Sequence, residues 1–138
     1  MNADCVVVDA NIAFKCLTTG RGDLRKRVGS GTNLKLFSPR YLFVELFKHK
    51  DRLIRATGLS EPDLLNALYT LTTHLEFTSE FNISVGTWVE AYRLCNGIDT
   101  NDTPYVALTL HLEGRLWTED VELKTALRAR GFNQFFEP

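Results

Sequence analysis

The sequence predicts an α/β fold, a three-layer α/β/α sandwich around a mostly parallel sheet. Two observations predict it. Short apolar, β-branched runs alternate with amphipathic helical stretches along the chain, in the order strand, helices, strand, helices, strand, helix, strand. The first run, "CVVVD" at 5–9, is apolar up to its final residue and reads as a strand buried on both faces.

"NIAFKCL" (11–17) is helical in type. "TTGRGDLRKRVGSGTN" (18–33) is rich in Gly and Arg and reads as a loop holding one helical turn in "DLRKRV". "LKLFS" (34–38) is a second strand. The clearest helix is "SPRYLFVELFKHKDRLIRATG" (38–58), with Ser38 as N-cap, Pro39 in the first helical position and Gly58 at the C-terminal cap. "SEPDLLNALYTLTTHLEF" (60–77) repeats that pattern with Ser60 and Pro62. "VGTWVEAYRLCNG" (85–97) is a further helix, in which Trp88 and Tyr92, four apart, read as a core pair in preference to a dimer contact. "DTNDTPYVALTLHLEG" (99–114) is apolar almost all round, as a buried helix is. "RLWT" (115–118) is a strand, "EDVELKTALRARG" (119–131) a helix and "NQFF" (133–136) a last short strand. Repeats and linkers are absent.

The 138 residues fit one domain, 1–138, with one core. The balance of 44% hydrophobic and 24% charged residues is that of a globular chain and excludes a disordered one. At a net charge of −1, any nucleic-acid binding must come from a local basic patch. No apolar run is long enough to span a bilayer, and the first ten residues lack the basic and apolar regions of a signal peptide, so a cytoplasmic protein with no membrane partner is expected. Cys5, Cys16 and Cys95 are odd in number and lack CxxC spacing, as buried free thiols would.

Four acids are candidates for chemistry, and each has a plain alternative. Asp9 ends the first strand, and could simply cap the helix that follows. Glu45 lies on or beside the inward stripe Leu42, Leu46, His49, Leu53. A glutamate there is costly unless it is paired, binds a cation or reaches water. Asp102 precedes the buried helix and could be its N-cap, with Asp99 one turn earlier. Asp120 follows "RLWT"; there Thr118 could cap the last helix, with Glu119 and Asp120 complementing its dipole. Ligand sites of open parallel sheets lie off the carboxyl ends of the strands, where Asp9 and Asp120 both stand. Together the four can converge. Crowded carboxylates repel one another without a cation, and oxygen donors free of Cys and His select Mg²⁺ or Mn²⁺. Such ions activate water toward phosphate esters.

On "VVVDAN", "SPRYLFVELFKH" and "DTNDTPYVALTLHLEGRLWTEDVELKTAL", and over nearly its whole length, the chain resembles PIN-domain ribonucleases, close to the VapC-type toxins of bacterial toxin–antitoxin pairs. The resemblance implies a Mg²⁺- or Mn²⁺-dependent endoribonuclease. In it Asp9, Glu45, Asp102 and Asp120 are catalytic and hold the metal, with Asp99 as an auxiliary ligand. Asn11 and Thr118 orient that set. It further implies a homodimer and a cognate antitoxin. For RNA contacts, Arg21, Arg25, Lys26, Arg27 and Arg40 are the candidates nearest the acids, against the alternative of a solvated basic face. The three histidines show no ligand spacing and read as structural or exposed. A phosphotransferase with an aspartyl nucleophile is disfavoured by Asn11, where a second Asp is wanted. The remaining alternative is a non-catalytic PIN-fold module for RNA binding or scaffolding.

Overall fold

The computed structural model describes residues 4–28 and 33–138. Four parallel strands form one sheet in the order β3-β2-β1-β4: β1 (Cys5–Val8), β2 (Lys35–Pro39), β3 (Glu76–Thr78) and β4 (Arg115–Trp117). Helices flank it, so the α/β/α class expected from the sequence holds. β1 is central and every one of its residues is buried, which explains its unbroken apolar run. Its neighbours are in register Val6↔Leu36 on one side and Val7↔Leu116 on the other.

The helices are α1 (Ala10–Gly20), α2 (Leu24–Val28), α3 (Tyr41–Lys48), α4 (Lys50–Thr57), α5 (Glu61–Thr73), α6 (Val85–Cys95), α7 (Thr103–Leu112) and α8 (Val121–Ala129). α7 packs on β1, β2 and β4 and carries α6 on its outer side, while α1 gathers α2, α3, α4 and α5. In α7, Thr103 and Tyr105–Thr109 are buried, as its all-round apolar sequence requires. All three cysteines are free and buried. Among the described residues no helix is long and apolar enough to cross a membrane.

Several boundaries differ from the sequence reading. Ser38 and Pro39 belong to β2, and the Ser38 hydroxyl faces the Val8 carbonyl at 3.4 Å instead of capping a helix. α3 begins after Arg40, whose N–H donates to the Glu80 carboxylate at 2.9 Å. A distant acid thus replaces the local cap. The single helix expected over 38–58 is two, broken at His49 (φ −108°, ψ 19°), yet Leu42, Leu46 and Leu53 keep one buried stripe across the break. Gly58 ends it in the left-handed region, as expected. Residues 76 and 77, read as the end of a helix, belong to the edge strand β3; only three residues long and half-buried, it offers no alternation to detect. "NQFF" contributes a single bridge, Leu116↔Phe135. Trp88 packs against the core, but Tyr92 is exposed: the inward face of α6 is Trp88, Ala91, Leu94 and Cys95. The helical turn in "DLRKRV" forms as α2, whereas the expected loop at 29–32 lies outside the described residues.

The α1–α2 turn depends on one glycine. Arg21 closes α1 at φ 50°, and Gly22 follows at φ 88°. A Cβ on Gly22 would stand 2.1 Å from the Ala67 carbonyl oxygen of α5. Gly22→Ala is therefore expected to destabilise the fold by about 2–4 kcal/mol, from left-handed backbone strain plus overpacking. Urea denaturation of the two proteins measures it, and a loss under 1 kcal/mol would show that α5 yields to the turn.

Candidate active site

Two parallel neighbours, β1 and β4, end side by side, and the residues that follow them meet. The Asp9 N–H donates to the Trp117 carbonyl at 3.3 Å. Asp9 is buried. One of its carboxylate oxygens accepts from the Ile12 N–H at 2.8 Å, which caps α1, and the Thr118 side chain also bonds the carboxylate. The capping alternative for Asp9 is therefore real, but it does not exhaust the residue: Asp9 also lines a pocket of about 180 Å³.

The same pocket is lined by Glu45, Asp99, Asp102 and Asp120, with Asn11, Asn101 and His49. The five acids arrive on four separate stretches of chain, Asp99 and Asp102 sharing one 3₁₀ turn. Glu45 projects from the middle of α3 and accepts a hydrogen bond from the buried Tyr105 hydroxyl of α7 at 3.0 Å, which ties the two helices together. Asp102 stands where a cap of α7 would, but its side chain makes no capping bond. Capping thus fails to account for Asp102. Asp99 caps the preceding 3₁₀ turn through the Asn101 N–H at 2.9 Å. Asp120, and not Thr118, caps α8, accepting from the Leu123 N–H at 3.0 Å. Thr118 accepts from the Asp120 N–H at 3.2 Å while bonding Asp9, and so braces two acids at once.

Burial and mutual repulsion dominate the electrostatics. Burial raises the Asp9 pKa to about 6 despite its Thr118 and Ile12 hydrogen bonds, with Asp120 and Glu45 adding to the rise. Asp102 is raised to about 7, first by burial, then by Asp99, Asp9, Glu45 and Asp120. Glu45 is also raised by burial, opposed by the Tyr105 hydroxyl and by His49.

His49 is the residue that sequence spacing missed. It sits at the α3–α4 break, lines the pocket and packs edge-on to Phe14 at 5.6 Å. The one signal for it was its place in the inward stripe with Leu42, Leu46 and Leu53. Of the basic candidates, Arg27 reaches the Glu119 carboxylate at 3.8 Å, one residue before Asp120. Arg25 donates to the Leu34 carbonyl and Lys26 faces Asp23. Arg21 is exposed at the end of α1, and Arg40 lines a separate depression with Tyr41 and Phe81. None of these five lines the acid pocket itself.

A family model of the PIN domain matches residues 7–131. The chain belongs to the PIN-domain family. No curated protein matches it. The PIN domain is a nuclease fold, and its nucleases usually work with divalent metals.

The residues of this PIN domain suit such an ion in donor chemistry: oxygen donors dominate, and two of the acids are held well above their ordinary pKa by burial and by neighbouring carboxylates. The arrangement is not yet a chelate. Among the described residues, no three His, Cys, Asp or Glu side chains stand in a ligating cluster. The pocket lining places the acids around one space; side-chain rotation would have to bring their oxygens onto one point.

The raised pKa values carry a pH signature. Asp9 and Asp102 hold protons in the native state more tightly than at the ordinary 3.8. The native state thus binds more protons than the unfolded one above that pH. Their contribution to stability is full below about 3.8 and is lost as pH rises through about 6 to 7. In EDTA, Asp102→Asn is expected to melt higher than the wild type near neutral pH, with the gain growing from pH 5 to a plateau above about 7. Thermal melts across that range test it; a variant less stable at pH 8 contradicts the repulsive pocket.

Proposed function

We propose that this PIN domain is a metal-dependent endoribonuclease, the toxin component of a bacterial toxin–antitoxin pair, acting in the cytoplasm as a single domain. The observation that carries the catalytic part is the convergence of five carboxylates on one pocket, with Asp102 half-buried there and not engaged in capping. Structural roles do not require such crowding, and a phosphodiester hydrolase does.

Asp9, Glu45, Asp102 and Asp120 would hold one or two Mg²⁺ or Mn²⁺ ions, with Asp99 as auxiliary. When bound, the metal polarises the scissile phosphate and lowers the pKa of an attacking water. The residues do the rest. Thr118 fixes Asp9 and Asp120 relative to each other. Tyr105 holds the Glu45 carboxylate through Oε1, and Glu45 lines the pocket. Asn11 lines the pocket from the exposed first turn of α1, where it can orient a bound water. A carboxylate of this set would also take up the water's proton.

The toxin role rests on the resemblance of the acid-bearing motifs to the VapC type. It carries with it a homodimer and an antitoxin that blocks the pocket. The non-catalytic alternative is less favoured, because a scaffold would have no use for the crowded acids.

Incubating purified protein with total cellular RNA and Mn²⁺ or Mg²⁺ is expected to give discrete fragments. EDTA should abolish them, and Asp9→Asn should reduce their rate by about two orders of magnitude or more. Fragments that persist in Asp9→Asn indicate a contaminant. No cleavage, together with no metal-induced rise in melting temperature, removes the catalytic reading.

A further inference from the structure

A larger cleft, of about 530 Å³, adjoins the acid pocket and shares Asn11 and Asp120 with it. Its walls come from α1, α4 and the β4–α8 connection. Its volume is that of a small-ligand site. The buried Ile12 and Leu53 give it an apolar base, and Lys15 and Arg52 bring cations to its lining. Arg52 lies 5.2 Å from the Phe14 ring centroid and is paired with no carboxylate among the described residues. The Lys15 ammonium pairs with Glu119. Arg27 reaches the same carboxylate and also donates to the Thr19 hydroxyl at 2.9 Å. One half-exposed carboxylate thus holds two cations, immediately before Asp120.

We propose that this cleft seats the RNA phosphate adjacent to the scissile one, with Lys15 and Arg52 as its ligands. Glu119 holds Lys15 and Arg27 in the free protein and yields them to the incoming phosphate. The proposal rests on the ribonuclease reading, since it places the scissile phosphate at the acids. The electrostatics require such a neighbour. A pocket of five carboxylates repels a polyanion, so attraction must come from cations close beside it. The cleft supplies them in Lys15 and Arg52, which line it, while Asn11 and Asp120 join it to the acid pocket, and its apolar part suits a ribose or base face. The Lys15–Glu119 pair is solvent-exposed on both sides and therefore weak in water, and a phosphate can take the place of the carboxylate.

The test is fluorescence anisotropy of the full chain with a labelled single-stranded oligoribonucleotide in EDTA, at several salt concentrations. Lys15→Gln/Arg52→Gln is expected to bind at least about tenfold more weakly at low salt. Its log–log salt slope should be shallower by about 1.4, at about 0.7 per cation on a single strand. Glu119→Gln is expected to bind several-fold more tightly. Wild-type affinity in the double variant, weaker binding by Glu119→Gln with an unchanged melting curve, or no RNA binding at all overturns the proposal. Lys15→Gln alone, with a circular dichroism melt, separates lost contacts from lost fold. Binding in EDTA is independent of cleavage. Failure of the ribonuclease reading would appear instead as an uncleaved RNA that these variants still rank as expected.

Discussion

The candidate site of this molecule depends on a buried carboxylate, Asp9, packed beside the half-buried Glu45 and Asp102. Asp9 bears the conflict most directly. Its carboxylate closes the core strand, caps α1 and accepts from Thr118, yet burial still outweighs these bonds and holds its pKa near 6. Asp102, with no capping bond to offset the cost, is pushed further. A fold tolerates such a pocket only when the surrounding structure over-determines it. Here the fully buried β1 and the all-round apolar α7 supply that rigidity.

Topology makes the convergence possible. Because β1 and β4 are adjacent and parallel, their carboxyl ends coincide, and the residues just past them share one edge. α3 and α7 approach from the flanks, and the Tyr105–Glu45 bond joins them. The acids therefore come from four separate stretches of chain, each with its own local reason to exist: a cap, a turn or a stripe edge. Their common location is the feature that none of those local reasons accounts for.

Charge is distributed unevenly around that edge. With a net charge of −1 the chain has no global field to attract RNA. The cations that matter are those beside the acids: Lys15, Arg27 and Arg52 line or approach the neighbouring cleft, whereas Arg25 and Lys26 serve the α2 segment. Among the described residues of "RGDLRKR", Arg27 is the cation that reaches Glu119 at the cleft.

The sequence by itself determined the sheet's central strand, the helical character of most of the chain and the identity of the acids, because periodicity, capping residues and a strand that ends on Asp are local signals. It also fixed the buried nature of α7 through composition alone. It could not separate Ser38 and Pro39 from a helix start, since an N-cap and a strand end share residue types and only pairing with β1 and β3 decides. It could not reveal β3, whose three residues owe their conformation to the edge of β2. Nor could it show that Asp102 leaves its cap unmade, that His49 turns into the pocket or that Glu119 holds two cations. Those facts depend on which long-range neighbours arrive, and only the packed tertiary structure sets them.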